Sequence, residues 1–281
     1  MNINGIIRSL LAALLLQPVV SVAQDGGDSV SVAHNIDSRI VHNARMIAVG
    51  ATDVLDTYLS PEKYTGIEMR YMSHTTKPTR FDRFSMVLSH QGELLKAHNR
   101  ADNNDEIGGY YNFHYAWRYN WNAMGGKLHL EAGAGADVLL GFIYNLRNGN
   151  NPAQAKMSLS IVPSAAAVYN FNAWHKPFSL RYEVFVPLAG IMFSPNYGQS
   201  YHEIFNKGDY DHNIAFTYPG NAPSLSHSLS LDFPLGKTWV RIGYMGDCRQ
   251  SKVNELKYHN YSHMFMLGIV RHFSITKYRP R

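Results

Sequence analysis

Hydrophobic and polar residues alternate one by one along most of the chain after residue 43, and the spacing typical of amphipathic helices is scarce. The clearest run extends from Tyr111 to Trp121. One side of this run carries only large rings, namely Tyr111, Phe113, Tyr115, Trp117, Tyr119 and Trp121. Tyr and Trp rings favour the boundary between a membrane and water. The run therefore predicts a β-strand with one side towards lipid and the other towards a polar interior.

The segment from Leu128 to Tyr144 repeats this design. Its aliphatic side is opposed by a side that contains Glu131 and Asp137. A soluble sheet would have to bury these carboxylates or expose a row of aliphatic side chains, whereas a membrane barrel with a wet interior explains both sides. Ten residues at about 3.3 Å each, tilted by about 45°, cover roughly 23 Å, which is close to the roughly 25 Å apolar band of an outer-membrane barrel.

Ten segments of this kind follow one another, the first near residues 44–51 and the last near residues 258–275. Short connections near 75–80, 122–126, 172–177 and 234–237 alternate with longer ones near 52–63, 92–109, 146–155, 194–223 and 248–257, as periplasmic turns alternate with extracellular loops. We predict an all-β fold, a transmembrane antiparallel up-and-down β-barrel of about 10 strands, with about 8–12 compatible with the pattern. A secreted soluble β-sandwich is the alternative. Arg271 falls on the outward side of the last strand, so we expect it near a membrane interface.

The first 23 residues have the pattern of a secretory signal peptide. Arg8 precedes an apolar stretch from Leu10 to Leu16, and the small residues Ser21 and Ala23 mark a cleavage site. We predict a signal peptide over residues 1–23, a periplasmic segment over 24–43, the barrel over 44–275 and a basic tail over 276–281. Both termini are expected in the periplasm, and the protein in the outer membrane of a Gram-negative cell.

Composition narrows the classes of partner. The formal net charge is +5, and the charges are scattered, which argues against nucleic acid. Cys248 is the one cysteine of the sequence, so an intrachain disulfide is excluded. No motif indicates a metal or a cofactor. The expected partners are outer-membrane lipid and a surface or periplasmic protein, and no pattern sets an oligomeric state.

The segment from Val49 to Gly66 carries a specific signature. Its centre is Leu55-Asp-Thr-Tyr-Leu-Ser-Pro61, followed by Tyr64. This box resembles the N-terminal signature of a Bacteroidota family of uncharacterised outer-membrane proteins, the domain of unknown function 3316. The resemblance implies location and fold but no catalytic residues, and this chain departs from the usual barrel end because it continues beyond Phe273.

The box itself predicts a structured loop between the first two strands, since Pro61 and Gly66 suit a turn. A binding role in this loop is the competing interpretation. Its candidate residues are Asp53, Asp56 and Tyr58.

Charged residues of both signs fall on the inward side of the predicted strands. Because buried charges need partners, we predict an ion-pair network that largely plugs a narrow barrel. A small conducting or ligand-binding interior is the competing prediction. The predicted interior set is Glu68, Arg70, Arg83, His114, Arg118, His129, Glu131, Asp137, Arg181, Glu183, Asp232 and Arg241.

Two patterns raise the question of catalysis. Ser89-His90 and Ser226-His227 are adjacent pairs, but neighbouring side chains of a strand point to opposite faces, so neither pair can act together. The loop sequence Asp209-Tyr-Asp211-His212 resembles the acid–histidine pairing of omptin-type surface proteases, which are also ten-stranded barrels. A solvated polar loop is the simpler interpretation, and His212, Asp209 and Asp211 are the candidate catalytic residues.

The sequence thus favours a non-enzymatic role for an outer-membrane barrel. The main hypothesis is a structural or binding protein that acts through the loops near 92–109 and 194–223, with a largely plugged polar interior. One alternative is a surface hydrolase of lipid or peptide with the Asp/His rim site. The other is a small-solute channel.

Overall fold

The structure, a computed structural model, describes residues 40–274 as a sheet of twelve strands with one short helix, α1 (Tyr201–Phe205). The strands are β1 (Ile40–Asp56), β2 (Lys63–Pro78), β3 (Phe84–Asn99), β4 (Asp105–Ala123), β5 (Leu128–Asn145), β6 (Ala153–Ala173), β7 (Lys176–Phe185), β8 (Ala189–Phe193), β9 (Ile214–Thr217), β10 (Leu225–Leu235), β11 (Thr238–Val253) and β12 (Leu256–Ser274).

The sheet closes on itself because β12 pairs with β1 and every pairing is antiparallel. Strand β6 pairs with β7 along one part of its length and with β8 along another, so β7 and β8 share one position in the wall. Strands β9 and β10 share the next position, because β9 pairs with β8 and β10 pairs with β7. The twelve strands therefore occupy ten positions, which confirms the predicted closed, ten-stranded antiparallel barrel.

The two ends of the barrel differ in their connections. One end, called the turn end here, holds residues 79–83, 124–127, 174–175 and 236–237. The other, called the loop end, holds residues 57–62, 100–104, 146–152, 194–213 and 254–255. Two predicted loops were therefore much too long: most of 92–109 and of 248–257 is strand, and the connections there are only 100–104 and 254–255.

Side chains alternate between the outside and the inside of the barrel as predicted. Tyr111 and Trp117 are exposed on the outer face of β4, whereas Arg118 is fully buried inside. On β5, Leu140 is exposed outside and Glu131 is buried inside. The apolar outer face, called the belt here, and the charged interior reverse the arrangement of a soluble protein. Arg271 is exposed on the outer face three residues before the end of β12, which agrees with its predicted place near an interface.

The strands continue past the belt at the loop end, and there the pattern of polarity reverses. On β3, Lys96 and His98 are exposed outside, while Leu95 and Ala97 are buried inside. The inward residues belong to an apolar cluster of Val54, Leu59, Tyr64, Leu95, Ala97, Tyr110 and Ile143. Polar side chains suit an exterior that meets water. The alternation typical of a membrane strand therefore ends here, although strand β3 continues. This reversal explains why residues 92–99 resembled a loop.

The longest connection, residues 194–213, contains α1. Ser200 caps this helix: its hydroxyl accepts from the Glu203 amide, and its own amide donates to the Glu203 carboxylate at 2.8 Å. Hydrogen bonds from the Ser200 backbone and side chain hold the pKa of Glu203 below its usual value. The connection is folded against the barrel, since Ile204 is fully buried and the Tyr201 hydroxyl accepts from the Ala155 amide at 2.6 Å. The predicted 194–223 loop is thus shorter, because β9 occupies part of it.

Several predicted segments fall wholly or partly outside the described residues. These are the signal peptide over 1–23, the tail over 276–281 and most of the periplasmic segment over 24–43. The last four residues of that segment, 40–43, belong to β1. Between residues 40 and 274, no helix is long and apolar enough to cross a membrane.

Candidate functional site in the barrel interior

Four of the predicted interior residues form one ion cluster, called the turn-side cluster here. It consists of Arg118, Arg181, Glu131 and Glu183. Glu131 accepts from Arg118 at 3.1 Å and from both Nη atoms of Arg181 at 3.0 and 3.2 Å. Arg118 also donates to Glu183 at 2.5 Å, and Arg181 donates to Glu183 at 3.0 Å. Two positive and two negative groups are thus matched deep in the barrel.

A second cluster, the loop-side cluster, contains Arg70, Arg249, Glu68, Glu93 and Asp247. Arg70 contacts Glu68 at 2.5 Å and Asp247 at 2.8 Å. Arg249 contacts Glu93 at 2.6 Å and Asp247 at 2.7 Å. Three carboxylates face two guanidinium groups, so this cluster carries an excess of negative charge.

Most of the remaining predicted interior residues are also inside. Arg241 donates two hydrogen bonds to Asp232 at 2.6 and 2.7 Å, and a ring nitrogen of His129 lies 2.7 Å from the Asn122 amide oxygen. Arg83 is a correction. It lies exposed in the 79–83 turn and donates to the Tyr119 hydroxyl at 3.1 Å. Its φ of 63° shows that the extended conformation begins only at the next residue, so the alternation used to place it inside does not apply.

The structure adds interior charges that are not in the set predicted from the sequence. Glu93, Asp247 and Arg249 complete the loop-side cluster. Nearer the loop end, the Lys156 ammonium lies 2.8 Å from Asp56 and 3.7 Å from the centre of the Tyr258 ring. The signal that could have revealed Glu93 is that it is in phase with the inward residues Ser89 and Gln91 of the same strand, although the alternation breaks just beyond it, at Leu94 and Leu95.

The three candidates of the 49–66 box point to three different places. Asp53 lies on the outer face, where its carboxylate is 2.8 Å from His259 Nε2. Asp56 is buried inside beside Lys156, and Tyr58 packs edge-on against Tyr201 in the loops. Burial raises the pKa of Tyr58 well above its usual value. The three residues therefore have structural partners and do not form a joint binding site.

The structure brings the three candidate catalytic residues of the rim, Asp209, Asp211 and His212, together only in part. Asp211 and His212 are 2.8 Å apart, but their side chains are 77% and 78% exposed. Asp209 is exposed as well. Asp105, an acid in the first half of the chain, is paired with Lys96 at 3.0 Å. This arrangement is that of a solvated polar loop.

The barrel wall is interrupted between its seventh and eighth positions. Pairing between β7 and β10 ends at Phe185 and Ser226, and pairing between β8 and β9 resumes at Gly190 and Thr217. In between, residues 186–189 face residues 218–225, four against eight, and no backbone hydrogen bond joins these two described segments. We call this gap the side opening.

Local sequence explains the side opening. On one edge, Pro187 lies in a β-bulge, because the chain between Phe185 and Ala189 has one residue more than the facing part of β6. On the other edge, the Tyr218 carbonyl accepts from the Asn221 and Ala222 amides at 3.0 and 2.8 Å. The intervening Pro-Gly pair is typical of such a turn. The two edges thus bend away from the regular ladder.

A cavity of about 160 Å³ extends from the interior to the side opening. Its inner part is polar and includes Ser89, Asn112, His114, Asp137 and Ser160. The part next to the opening is apolar and includes Val162, Phe185, Leu188, Ala189 and Leu225. The space exists because small side chains face inward on this part of the wall, including the serines of β6.

His114 is the unusual group in this cavity. It is 2% exposed, and neither of its ring nitrogens has a hydrogen-bond partner in the structure. The nearest acid is Asp137, with Nδ1 and Oδ2 3.5 Å apart, and the other Asp137 oxygen accepts from the Asn112 amide at 2.6 Å. Ser89, His114, Asp137 and Ser160 lie opposite one another in register on β3, β4, β5 and β6. Buried polar atoms normally find partners, so His114 leaves unused hydrogen-bonding capacity at the wall of the cavity.

Over residues 40–274, no group of three or more His, Cys, Asp or Glu side chains is arranged to hold a metal ion.

Comparison with solved structures finds chains that align with most of this one at low sequence identity. The transport unit of the autotransporter AIDA-I from Escherichia coli is 9% identical, with 95% of this chain and 96% of that chain covered and a TM-score of 0.46. The β domain of the Bordetella autotransporter BrkA is 10% identical, with 84% and 100% covered and a TM-score of 0.41. The attachment invasion locus protein Ail of Yersinia pestis is 10% identical, with 82% and 98% covered and a TM-score of 0.31.

A comparison with curated proteins finds no significant match to the sequence. A comparison with protein families finds a match that extends over residues 9–280. The chain belongs to the family described as protein of unknown function, DUF3316.

Proposed function

We propose that the protein is an integral outer-membrane β-barrel that does not conduct solutes and acts by binding. The observation that carries this proposal is the inverted barrel itself, with an apolar belt outside and two ion-paired clusters inside. In hydrocarbon every backbone amide and carbonyl needs a partner, and closure of the sheet supplies these partners. The signal-peptide pattern and the box at 49–66 support export to the outer membrane of a Gram-negative, Bacteroidota cell, with the termini in the periplasm.

The barrel axis is filled at several levels, which argues against a channel. The turn-side and loop-side clusters cross the interior, and an apolar cluster lies above them at the loop end. A second apolar cluster, rich in methionine, fills one side of the interior near Met46 and Met264. Desolvated ion pairs of this kind join strands that are not neighbours, as Arg70 of β2 and Asp247 of β11 do, and occupy the path that a solute would take.

Planar-bilayer recording tests the absence of conduction. The wild-type protein, first shown to insert by heat-modifiable migration on a denaturing gel, is expected to give no steady single-channel steps. Empty bilayers and bilayers with a known porin supply the baseline and the positive control. Steady, reproducible steps from the wild-type protein would contradict the proposal and favour the channel instead.

A further inference from the structure

We propose that the interior cavity binds the polar end of an uncharged single-chain amphiphile, such as a monoacylglycerol, which enters sideways from the membrane through the side opening. This inference rests on the proposed membrane location and specifies what the barrel binds. The chain of the ligand would lie in the side opening and continue into the bilayer, while its hydroxyl and ester groups would meet the inner wall.

The side opening lies within the apolar belt. Along the seventh wall position it is flanked by Tyr182 and Ile191, which are 46% and 45% exposed on the outer face. Along the eighth position it is flanked by Phe216 and Leu229, which are 63% and 45% exposed. A break in the ladder at this level faces hydrocarbon, where unpaired backbone groups are costly unless something lines or covers the gap. The opening therefore gives a lipid chain a route into the interior.

The size of the cavity favours a small head group and one chain. An engineered cavity of about 150 Å³ holds a molecule of the size of benzene. The cavity here, at about 160 Å³, suits a glycerol-sized group and the first carbons of one chain, not a lipid with two chains. The apolar residues at the opening, Leu188 and Leu225 among them, are placed to contact the rest of the chain.

The polar groups of the cavity favour an uncharged ligand. Both ring nitrogens of His114 lack hydrogen-bond partners, and Ser89 and Ser160 line the same space. The arginines that border it, Arg70 and Arg249, are already paired with acids. Because Asp137 and the loop-side cluster leave an excess of negative charge, an anionic head group is disfavoured, whereas hydroxyl and ester groups can satisfy the histidine.

Photolabelling tests this proposal. The probe is a monoacylglycerol with a diazirine near the ester end of its chain, added to the purified protein in phospholipid vesicles. Covalent adducts are mapped by mass spectrometry, and we expect them on inward residues of the cavity, such as Leu139 and Val162. Adducts confined to the outer face of the belt would overturn the proposal.

Two variants and one matched control sharpen the result. Ser160→Phe places a ring on the inward face of β6 within the cavity and, by overpacking the space for the ligand, is expected to reduce interior labelling at least about fivefold. His114→Leu removes the polar partner of the ligand. It is expected to raise the probe concentration needed for half-maximal labelling about two- to tenfold, the effect of one hydrogen bond. Ala51→Phe enlarges an exposed outward residue of β1, on another part of the wall, and is expected to leave interior labelling unchanged. Equal labelling of all three would contradict the proposed route.

Competition between the probe and unlabelled compounds identifies the chemical class of the ligand. Unlabelled monoacylglycerol is expected to displace the probe, whereas the matching fatty acid at alkaline pH and free glycerol are not. Displacement by the fatty-acid anion with equal strength would overturn the uncharged class, and displacement by free glycerol would overturn entry from the membrane. Heat-modifiable migration of every sample separates the two proposals: a protein that inserts but gives no interior adducts refutes only the ligand, and one that fails to insert refutes the membrane barrel.

Discussion

Glu131→Ala is expected to lower the free energy of unfolding by about 3–5 kcal/mol, the cost typical of removing one partner from a buried ion pair. Glu131 accepts three hydrogen bonds from Arg118 and Arg181. Its removal leaves two guanidinium groups with one shared acceptor, Glu183, and an uncompensated positive charge in the interior. Urea titration of the protein in detergent micelles, followed on heat-modifiable gels, measures the change.

The control for this prediction is Asp211→Ala. Asp211 also has a close side-chain partner, His212, but both side chains are open to solvent, and exposed pairs contribute between about 0 and 1 kcal/mol. The loss of unfolding free energy in Glu131→Gln should fall between those of Glu131→Ala and Asp211→Ala, because glutamine keeps the shape and some of the hydrogen bonds while removing the charge. If Glu131→Ala unfolded at the same urea concentration as Asp211→Ala, the turn-side cluster would not be the stabilising element that its geometry indicates.

Ala136→Arg is the second substitution with a large expected effect, about 2–4 kcal/mol of destabilisation in a bilayer. Ala136 is exposed at the middle of the outward row of β5, and its neighbours across the ladder are Tyr115 and Ile161, which also point outward. An arginine placed there would be surrounded by hydrocarbon. Refolding into phospholipid vesicles over a urea series gives the free energy directly.

Thr65→Arg provides the matched comparison. Thr65 is exposed on the outer face of β2, but it lies opposite His98 beyond the belt, where the exterior meets water. Its change to arginine should alter stability by less than about 1 kcal/mol, as for a substitution near the interface. Equal, small effects of the two substitutions would indicate a barrel that is surrounded by water.

The sequence alone was sufficient to predict which residues point outward and which point inward on the strand segments within the belt. The ring side of Tyr111–Trp121 is outside and Arg118 is inside because the pleat makes neighbouring residues face opposite ways, and this period does not depend on tertiary contacts. The interior position of Glu68, Arg70 and Glu131 follows by the same rule. Arg83 was misplaced because the rule holds only where the backbone is extended.

The features that the sequence did not predict depend on which residues pair across neighbouring strands and on whether the exterior of the barrel meets lipid or water. Glu93, Asp247 and Arg249 lie on strand segments beyond or near the edge of the belt, where the exterior meets water and the membrane pattern disappears. The side opening requires the pairing offsets of both neighbouring strands, and the Pro187 and Pro219 signals alone indicate only bends or turns. The isolation of His114 is likewise visible only once its cross-strand neighbours are known.

Lipid quenching of single tryptophans tests the central claim, that the apolar face meets lipid and the polar face is enclosed. The chain has four tryptophans, and replacing three of them by phenylalanine leaves one reporter at a time. Trp117 is 39% exposed on the outer face, whereas Trp239 packs inside against the methionine-rich cluster and His272. In vesicles of phospholipid brominated along the acyl chains, the account predicts strong quenching of Trp117 and little quenching of Trp239. Strong quenching of Trp239 with none of Trp117 would contradict it.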